Sequence, residues 1–72
     1  MASAEVIVKI VKRNITITKK VGEAGLKIED LLRELGINPI SVVVFKNGVI
    51  VTEDDLAKPG DVIKVYAASP GG

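Results

Sequence analysis

Cysteine and histidine are both absent from the 72-residue chain, which removes most of the chemistry that a small domain could perform by itself. Without cysteine there is no disulfide, thiolate ligand or thiol nucleophile. Without histidine the commonest metal ligand and the commonest acid–base group at neutral pH are missing. The acidic pairs Glu29-Asp30 and Asp54-Asp55 are sequence neighbours, whose side chains point in different directions on a helix. We therefore expect a protein that is not an enzyme and that binds no metal or cofactor directly.

Aromatic residues, net charge and long apolar runs are also scarce. The chain has one Phe, one Tyr and no Trp, and its formal net charge is +1. This composition provides no stacking platform for bases and no field that would attract nucleic acid or an anionic membrane. The longest apolar run, residues 42–45, is far too short to span a bilayer, and the N-terminus lacks the pattern of a secretory signal. We expect a cytoplasmic protein with no direct nucleic-acid or membrane partner.

Aliphatic residues are abundant, and their spacing predicts the secondary structure. Residues 5–12 have one fully apolar face and one mixed face, and residues 15–21 alternate apolar and polar side chains; both patterns are typical of strands. Residues 12–14 form a polar break between them, and Asn14 tolerates a positive φ. These features predict an N-terminal hairpin in which Ile7 points away from the main apolar face.

An amphipathic helix is predicted over residues 27–35, because its apolar residues recur at i, i+3, i+4 and i+7. The members of this stripe are Ile28, Leu31, Leu32 and Leu35. Gly36 supplies the left-handed residue that commonly ends a helix, and Pro39 forbids its continuation. Both helix ends are therefore signalled by the sequence.

A second hairpin is predicted after the helix. The β-branched runs 41–45 and 49–51 flank Asn47-Gly48, which is the strongest short hairpin signal. Thr52 then has the pattern of an N-cap followed by one short helical turn ending at Leu56.

The chain is predicted to end in a type II turn and a last strand. Pro59-Gly60 has the turn pattern. Residues 62–67 form the strand, with Lys64 and Tyr66 pointing away from the core. The resulting order of elements favours an α+β fold, a mixed sheet of about five strands with one helix packed on one face. The other face is left for solvent or a partner.

This order of elements, with a diglycine at the C-terminus, resembles the ubiquitin-like β-grasp superfamily. The likeness is strongest to its sulfur-carrier branch: the thiazole-synthesis carrier, the small subunit of molybdopterin synthase, and archaeal and ubiquitin-related small modifiers. Four segments carry the likeness: the helical stripe closed by Gly36, residues 42–48, residues 58–62, and Gly71-Gly72. Pro70, directly before the diglycine, departs from the usual pattern.

The resemblance implies a β-grasp domain over residues 1–67 and a flexible diglycine tail over residues 68–72. It also implies that an E1-like enzyme, which would hold ATP and Mg²⁺, adenylates the Gly72 carboxylate. A sulfurtransferase would then convert it to a thiocarboxylate for thiamine or molybdopterin synthesis or tRNA thiolation, with a sulfur-accepting synthase as a further partner. Gly71 and Gly72 have no Cβ, so the tail fits a narrow channel.

Two alternative functions remain open at this stage. The chain is either a modifier conjugated to lysines of target proteins through Gly72, or a β-grasp binding module without tail chemistry. For all three functions we expect a monomer.

A partner-binding patch is predicted on the uncovered sheet face next to the tail. Its members are Phe45, Tyr66, Lys64 and Ile7. Exposed aromatic residues of this kind are suited to anchor an interface. The alternative is that Phe45 closes the core and Tyr66 is an ordinary edge residue.

Overall fold

The computed structural model of the protein describes residues 4–68. Seven strands and one α-helix lie in this range, together with one-turn 3₁₀ helices at Val11–Arg13 and Pro39–Ser41. The strands and the helix are, in chain order, β1 (Glu5–Ile10), β2 (Ile15–Lys20), β3 (Leu26–Lys27), α1 (Ile28–Glu34), β4 (Val42–Lys46), β5 (Val49–Val51), β6 (Leu56–Ala57) and β7 (Val62–Ala67).

Five of the strands form one mixed sheet in the order β2-β1-β7-β4-β5. The central pair, β1 and β7, is parallel, and the other neighbours in this sheet are antiparallel. The two short strands β3 and β6 pair separately as an antiparallel ribbon. Helix α1 packs on one face of the large sheet, which confirms the predicted α+β architecture.

The N-terminal hairpin forms as the alternation predicts. Val6 and Val8 are fully buried, whereas Ile7 is 43% exposed on the opposite face. β1 ends at Ile10, two residues earlier than expected, because a 3₁₀ turn begins at Val11. Asn14 closes this turn with a φ of 54°, the left-handed conformation expected for it.

The C-terminus of α1 is closed by a Schellman motif. Gly36 has a φ of 76°, and its N–H donates to the Arg33 carbonyl at 3.0 Å. The Ile37 N–H donates to the Leu32 carbonyl at 2.8 Å, which completes the motif. Ile37 also packs against the core, as expected for the hydrophobic contact of this motif.

The hairpin between β4 and β5 turns at Asn47 and Gly48, whose φ values are 51° and 85°. Two successive positive φ values are the mark of a type I′ turn, which matches the right-handed twist of the flanking strands. The type II turn at Pro59-Gly60 also forms, with Gly60 at a φ of 92°.

The helical turn expected after Thr52 is wrong. Thr52 does not cap a helix; its own N–H donates to the Asp55 carboxylate at 2.7 Å, and the chain continues into β6. The reason lies at the start of α1, where the first N–H groups have no partner within the helix. The Ile28 N–H donates to the Asp55 carbonyl at 2.8 Å, and the Glu29 N–H donates to the Glu53 carbonyl at 3.0 Å. The loop therefore makes one turn, in which the Asp55 N–H donates to the Thr52 carbonyl at 3.1 Å, and its Glu53 and Asp55 carbonyls accept from α1 instead of continuing a helix.

The core lies between α1 and the inner face of the large sheet. Its buried residues are Val6, Val8, Val21, Ile28, Leu31, Leu32, Val44, Ala57, Ile63 and Val65. Aliphatic side chains thus fill it, and both aromatic residues stay outside. In the described range, α1 is too short to cross a membrane, and no other helix there is long and apolar enough to do so.

Candidate functional site on the open sheet face

The sheet face opposite α1 is assembled by strand register. Phe45 on β4 lies opposite Lys64 on β7, and Val43 lies opposite Tyr66. Ile7 on β1 lies opposite Val62 at the other end of β7. Residues directly opposite in a ladder share a face of the sheet, so these six side chains form one surface. All four residues predicted for the partner patch therefore lie on this face.

The two aromatic residues of the chain contact each other on this face. The ring centroids of Phe45 and Tyr66 are 5.4 Å apart, and the ring planes meet at 80° in an edge-to-face arrangement. Phe45 is half-buried and Tyr66 is 39% exposed. Phe45 therefore does not close the core, and the pair forms a fixed aromatic step on the surface. A role of this step in partner binding remains a prediction.

Apolar residues that the sequence argument did not include extend the patch on both sides. Ile50 on β5 lies opposite Phe45 and is 63% exposed, while Val62 is 37% exposed beside Ile7. Alternation along β7 places Val62 on the same face as Lys64 and Tyr66, but β5 is apolar throughout, so its sequence did not indicate the face of Ile50. The sequence held no signal for the parallel pairing of β1 with β7, which brings Ile7 and Val62 together.

A side-chain network at one end of β4 and β7 fixes the alignment of these two strands. The Asn47 amide nitrogen donates to Asp61 Oδ1 at 2.9 Å, and the Asn47 carbonyl oxygen accepts from the Val62 N–H at 2.9 Å. Asp61 Oδ2 accepts from the Lys58 N–H at 2.8 Å. The Lys46 ammonium donates to the Leu56 carbonyl at 3.0 Å and thereby ties β4 to β6.

This network lowers the pKa of Asp61. Partial burial by itself acts to raise the pKa, since it disfavours the carboxylate. The hydrogen bonds from the Lys58 N–H and the Asn47 amide, together with the nearby charges of Lys46 and Lys58, outweigh burial and leave the pKa below its ordinary value. Asp61 therefore acts as an ionised structural clamp at the end of β4 and β7.

β7 ends at the same side of the domain as the aromatic step. The Ala68 N–H donates to the Ser41 carbonyl at 2.9 Å, so the sheet pairing extends one residue past β7. Gly71 and Gly72, which are predicted to carry the chemistry, lie outside the described residues, as does most of the predicted tail. Their role stays a prediction.

The model of one protein family, small archaeal modifier protein 2, matches residues 4–65 of the chain. The chain belongs to this family. The match covers the whole described domain apart from the end of β7. Small modifiers of this kind are generally not catalytic themselves and work with E1-like enzymes.

Solved structures and a curated relative agree with this family. The Haloferax volcanii HVO 2177 protein superposes with a TM-score of 0.70 at 21% identity, covering 99% of this chain and 89% of that protein. A designed protein based on human erythrocytic ubiquitin superposes with a TM-score of 0.64 at 22% identity, covering 96% of both chains. An uncharacterised Archaeoglobus fulgidus protein is 44% identical over 47 residues, 65% of this chain and 70% of that protein. The structural likeness confirms the ubiquitin-like β-grasp fold, and the family match supports a modifier or sulfur-carrier role.

Proposed function

We propose that this family member is a sulfur carrier whose Gly72 carboxylate is activated by an E1-like enzyme. The observation that carries the proposal is the family match over residues 4–65. In the sequence, Gly71-Gly72 follow the strand that bears Tyr66 on the open face. An enzyme docked on that face would have the terminal carboxylate within reach of its own nucleotide site.

The first step is adenylation. A glycine carboxylate at neutral pH is ionised and a poor electrophile, so it needs a leaving group before anything can attack it. A carboxylate oxygen attacks the α-phosphorus of ATP, pyrophosphate leaves, and an acyl-adenylate remains. ATP and Mg²⁺ belong to the activating enzyme in this scheme. Glycine at both final positions leaves the carbonyl carbon open to attack, because no Cβ shields it.

The second step transfers sulfur. A persulfide sulfur on a sulfurtransferase attacks the acyl carbon, and AMP leaves. A second thiol then cleaves the sulfur–sulfur bond by exchange, so one sulfur stays on Gly72 as a thiocarboxylate. A sulfur-accepting synthase would use this group in thiamine or molybdopterin synthesis or in tRNA thiolation.

The second candidate function is protein modification, which the same family match supports. Here a lysine amine of a target protein attacks the activated glycine, the leaving group departs with the electron pair, and an isopeptide bond forms. Adenylation is common to both functions, and they differ only in the group that attacks.

The open face supplies the docking surface in either case. Phe45 and Tyr66 present a rigid aromatic step, with Ile7 providing an exposed aliphatic neighbour. Aromatic anchors of this kind bury large apolar areas at interfaces while losing little conformational entropy.

Intact mass measurement tests the proposal. The purified chain is incubated with ATP, a sulfur donor and the activating enzyme of its host. A carrier gains the mass of one sulfur in place of one oxygen, located at Gly72 by fragmentation. A modifier instead forms isopeptide bonds with other proteins, and after trypsin digestion their lysines carry residues 65–72, because Lys64 is the last cleavage site before Gly72.

Two chains serve as controls. A chain lacking Gly72 should gain no sulfur, and a chain with one alanine added after Gly72 should behave the same, because neither presents the diglycine carboxylate. If the chain lacking Gly72 rescues every phenotype of a null strain, both tail functions are wrong. The chain is then a β-grasp binding module.

A further inference from the structure

Two lysines lie directly opposite each other in the middle of the open face. Lys9 on β1 and Lys64 on β7 are Cα partners in the parallel ladder, so both side chains leave the sheet on the same side. Both are exposed. The patch predicted from the sequence contains Lys64 but not Lys9, because the pairing of β1 with β7 has no local signal.

The neighbours of this lysine pair do not neutralise it. Each lysine has an uncharged partner on its other neighbouring strand. Phe45 on β4 lies opposite Lys64, and Thr16 on β2 lies opposite Lys9. The acidic residue on the face, Glu5, is paired in register with Lys20 at the other end of the β1–β2 ladder. Among residues 4–68 the ion pair that forms joins Lys19 to Glu34, away from this pair.

Like charges directly opposite in a sheet destabilise the fold, and a Glu at either position would instead add a favourable cross-strand pair. The lysine pair therefore does not serve the stability of the domain. It lies between the aromatic step of Phe45 and Tyr66 on one side and the aliphatic Ile7 on the other. Any partner seated on the open face covers both ammonium groups and must compensate them.

We propose that Lys9 and Lys64 form an electrostatic docking site for an acidic surface of the activating enzyme, flanked by the Phe45–Tyr66 step as the apolar contact. The proposal rests on the proposed function, since it names the chemistry by which that enzyme recognises the face. Carboxylates of the activating enzyme then pair with the two ammonium groups, as a Glu or Asp on a neighbouring strand would.

A protein surface fits these residues better than a nucleic acid does. The chain has a net charge of only +1, which gives no broad field for a phosphate backbone. The two rings stand edge to face at 80°, so they do not offer the parallel, open faces on which bases stack. Exposed Ile7 and Val62 beside the lysines suit an apolar protein surface.

Charge reversal on the two lysines tests the proposal. Stopped-flow association of the chain with its activating enzyme is measured at several salt concentrations. Steering by complementary charge raises association rates and is screened by salt. The Lys9→Glu/Lys64→Glu chain should associate at least about tenfold more slowly than the parent at low salt. The parent rate should fall steeply as salt rises, whereas the rate of the reversed chain should not.

A matched control has the same net charge but leaves the open face intact. Lys12 and Lys27 are exposed and lie outside the large sheet, in the 3₁₀ turn after β1 and in the β3–β6 ribbon. Lys12→Glu/Lys27→Glu should associate within about twofold of the parent. Thermal unfolding of each variant confirms that the domain is folded before its rate is compared.

Three outcomes would overturn the docking site. The first is that both double variants associate at the rate of the parent and with the same salt dependence. The second is that the control double variant loses as much association rate as the Lys9→Glu/Lys64→Glu chain. The third is binding of a single-stranded RNA probe by the parent that is lost on charge reversal while association with the enzyme is unchanged. ATP–pyrophosphate exchange distinguishes failure of the docking site from failure of the proposed function. If the Lys9→Glu/Lys64→Glu chain supports exchange and associates at the rate of the parent, only the docking site is rejected. No exchange with the parent chain rejects the proposed function.

Discussion

The side-chain amide of Asn47 bridges to the carboxylate of Asp61, 14 positions further along the chain, with 2.9 Å between Asn47 Nδ2 and Asp61 Oδ1. The oxygen of the same amide accepts a hydrogen bond from the Val62 N–H. The Asn47 side chain thus binds the first residue of β7 next to the end of the β4–β7 ladder. Asn47 is thus both the left-handed residue of the β4–β5 turn and the clamp that aligns β4 with β7. The clamp adds to the β4–β7 ladder, whose register places Phe45 and Tyr66 on the open face.

Replacing Asp61 by Asn should lower stability in a pH-dependent way. Because the pKa of Asp61 is lowered in the folded state, its carboxylate contributes stability above the ordinary aspartate pKa of about 3.9, and this contribution is lost as pH falls through the lower folded pKa. At pH 7 the variant should lose about 1–2 kcal/mol, since its amide cannot accept both hydrogen bonds as the carboxylate does. Urea unfolding at a series of pH values measures both quantities.

The difference between parent and Asp61→Asn should shrink below about pH 5, because only the parent loses a charge there. Asp30→Asn is the control, as Asp30 is an exposed carboxylate in the first turn of α1. A constant difference between pH 7 and pH 3 would show that the ionised form of Asp61 does not contribute to the clamp.

Gly25 should be the glycine least tolerant of substitution among those at positive φ. Its φ is 89°, and an added Cβ would lie 2.9 Å from the Ala57 carbonyl oxygen in β6. Gly48 has a similar φ of 85°, but a Cβ there would meet nothing within 4 Å. Gly48→Ala should therefore cost about 1 kcal/mol for the left-handed backbone alone. Gly25→Ala should cost at least about 2 kcal/mol, because β6 must also move.

Denaturant unfolding of both variants separates the two contributions. Equal losses for Gly25→Ala and Gly48→Ala would mean that the loop at Gly25 yields without disturbing the β3–β6 ribbon. A larger loss at Gly25 would show that close packing against Ala57 holds this ribbon to the domain.

Local patterns in the sequence predicted most of the elements. The stripe from Ile28 to Leu35 with Gly36, and the Asn47-Gly48 turn, indicated structures that depend on neighbours within a few residues. Features that join distant segments were not predictable in this way. The loop after Thr52 has the pattern of a helix start. Its carbonyls instead accept hydrogen bonds from the first N–H groups of α1. Nothing in the local sequence indicates this contact.

In the candidate site, too, local features were predictable from the sequence and contacts between distant strands were not. Alternation along the strands assigned Ile7, Lys64 and Tyr66 to the open face, and the structure agrees. The contact between the rings of Phe45 and Tyr66 requires the register of β4 on β7, and the opposition of Lys9 and Lys64 requires the parallel pairing of β1 with β7. Ile7 and Val62 are 55 positions apart and Phe45 and Lys64 are 19 positions apart, and pairings at such separations leave no trace in the local pattern.

Replacing Lys9 by Glu should stabilise the domain while it weakens docking. The change turns a like-charge pair with Lys64 into an opposite-charge pair, which is worth about 0.2–1 kcal/mol in a sheet. Thermal unfolding should therefore show a higher Tm for Lys9→Glu, and a lower one again when Lys64→Glu is added. A Tm unchanged by the single variant would show that the two ammonium groups are too far apart or too well solvated to interact.

Replacing Phe45 by Ala should impair activation far more than it impairs folding. Phe45 lies outside the buried cluster, so truncation removes the edge-to-face contact with Tyr66 and the burial of half a ring, which together cost about 2 kcal/mol of stability. Leu32, only 1% exposed in the core, is the contrasting position, and Leu32→Ala should cost about 2–5 kcal/mol.

In ATP–pyrophosphate exchange at a temperature where both variants stay folded, kcat/KM should fall at least about tenfold for Phe45→Ala if Phe45 anchors the enzyme. It should be nearly unchanged for Leu32→Ala, because the folded fraction of that variant still presents an intact open face. The reverse ranking would mean that the aromatic step serves the sheet and that docking occurs elsewhere on the domain.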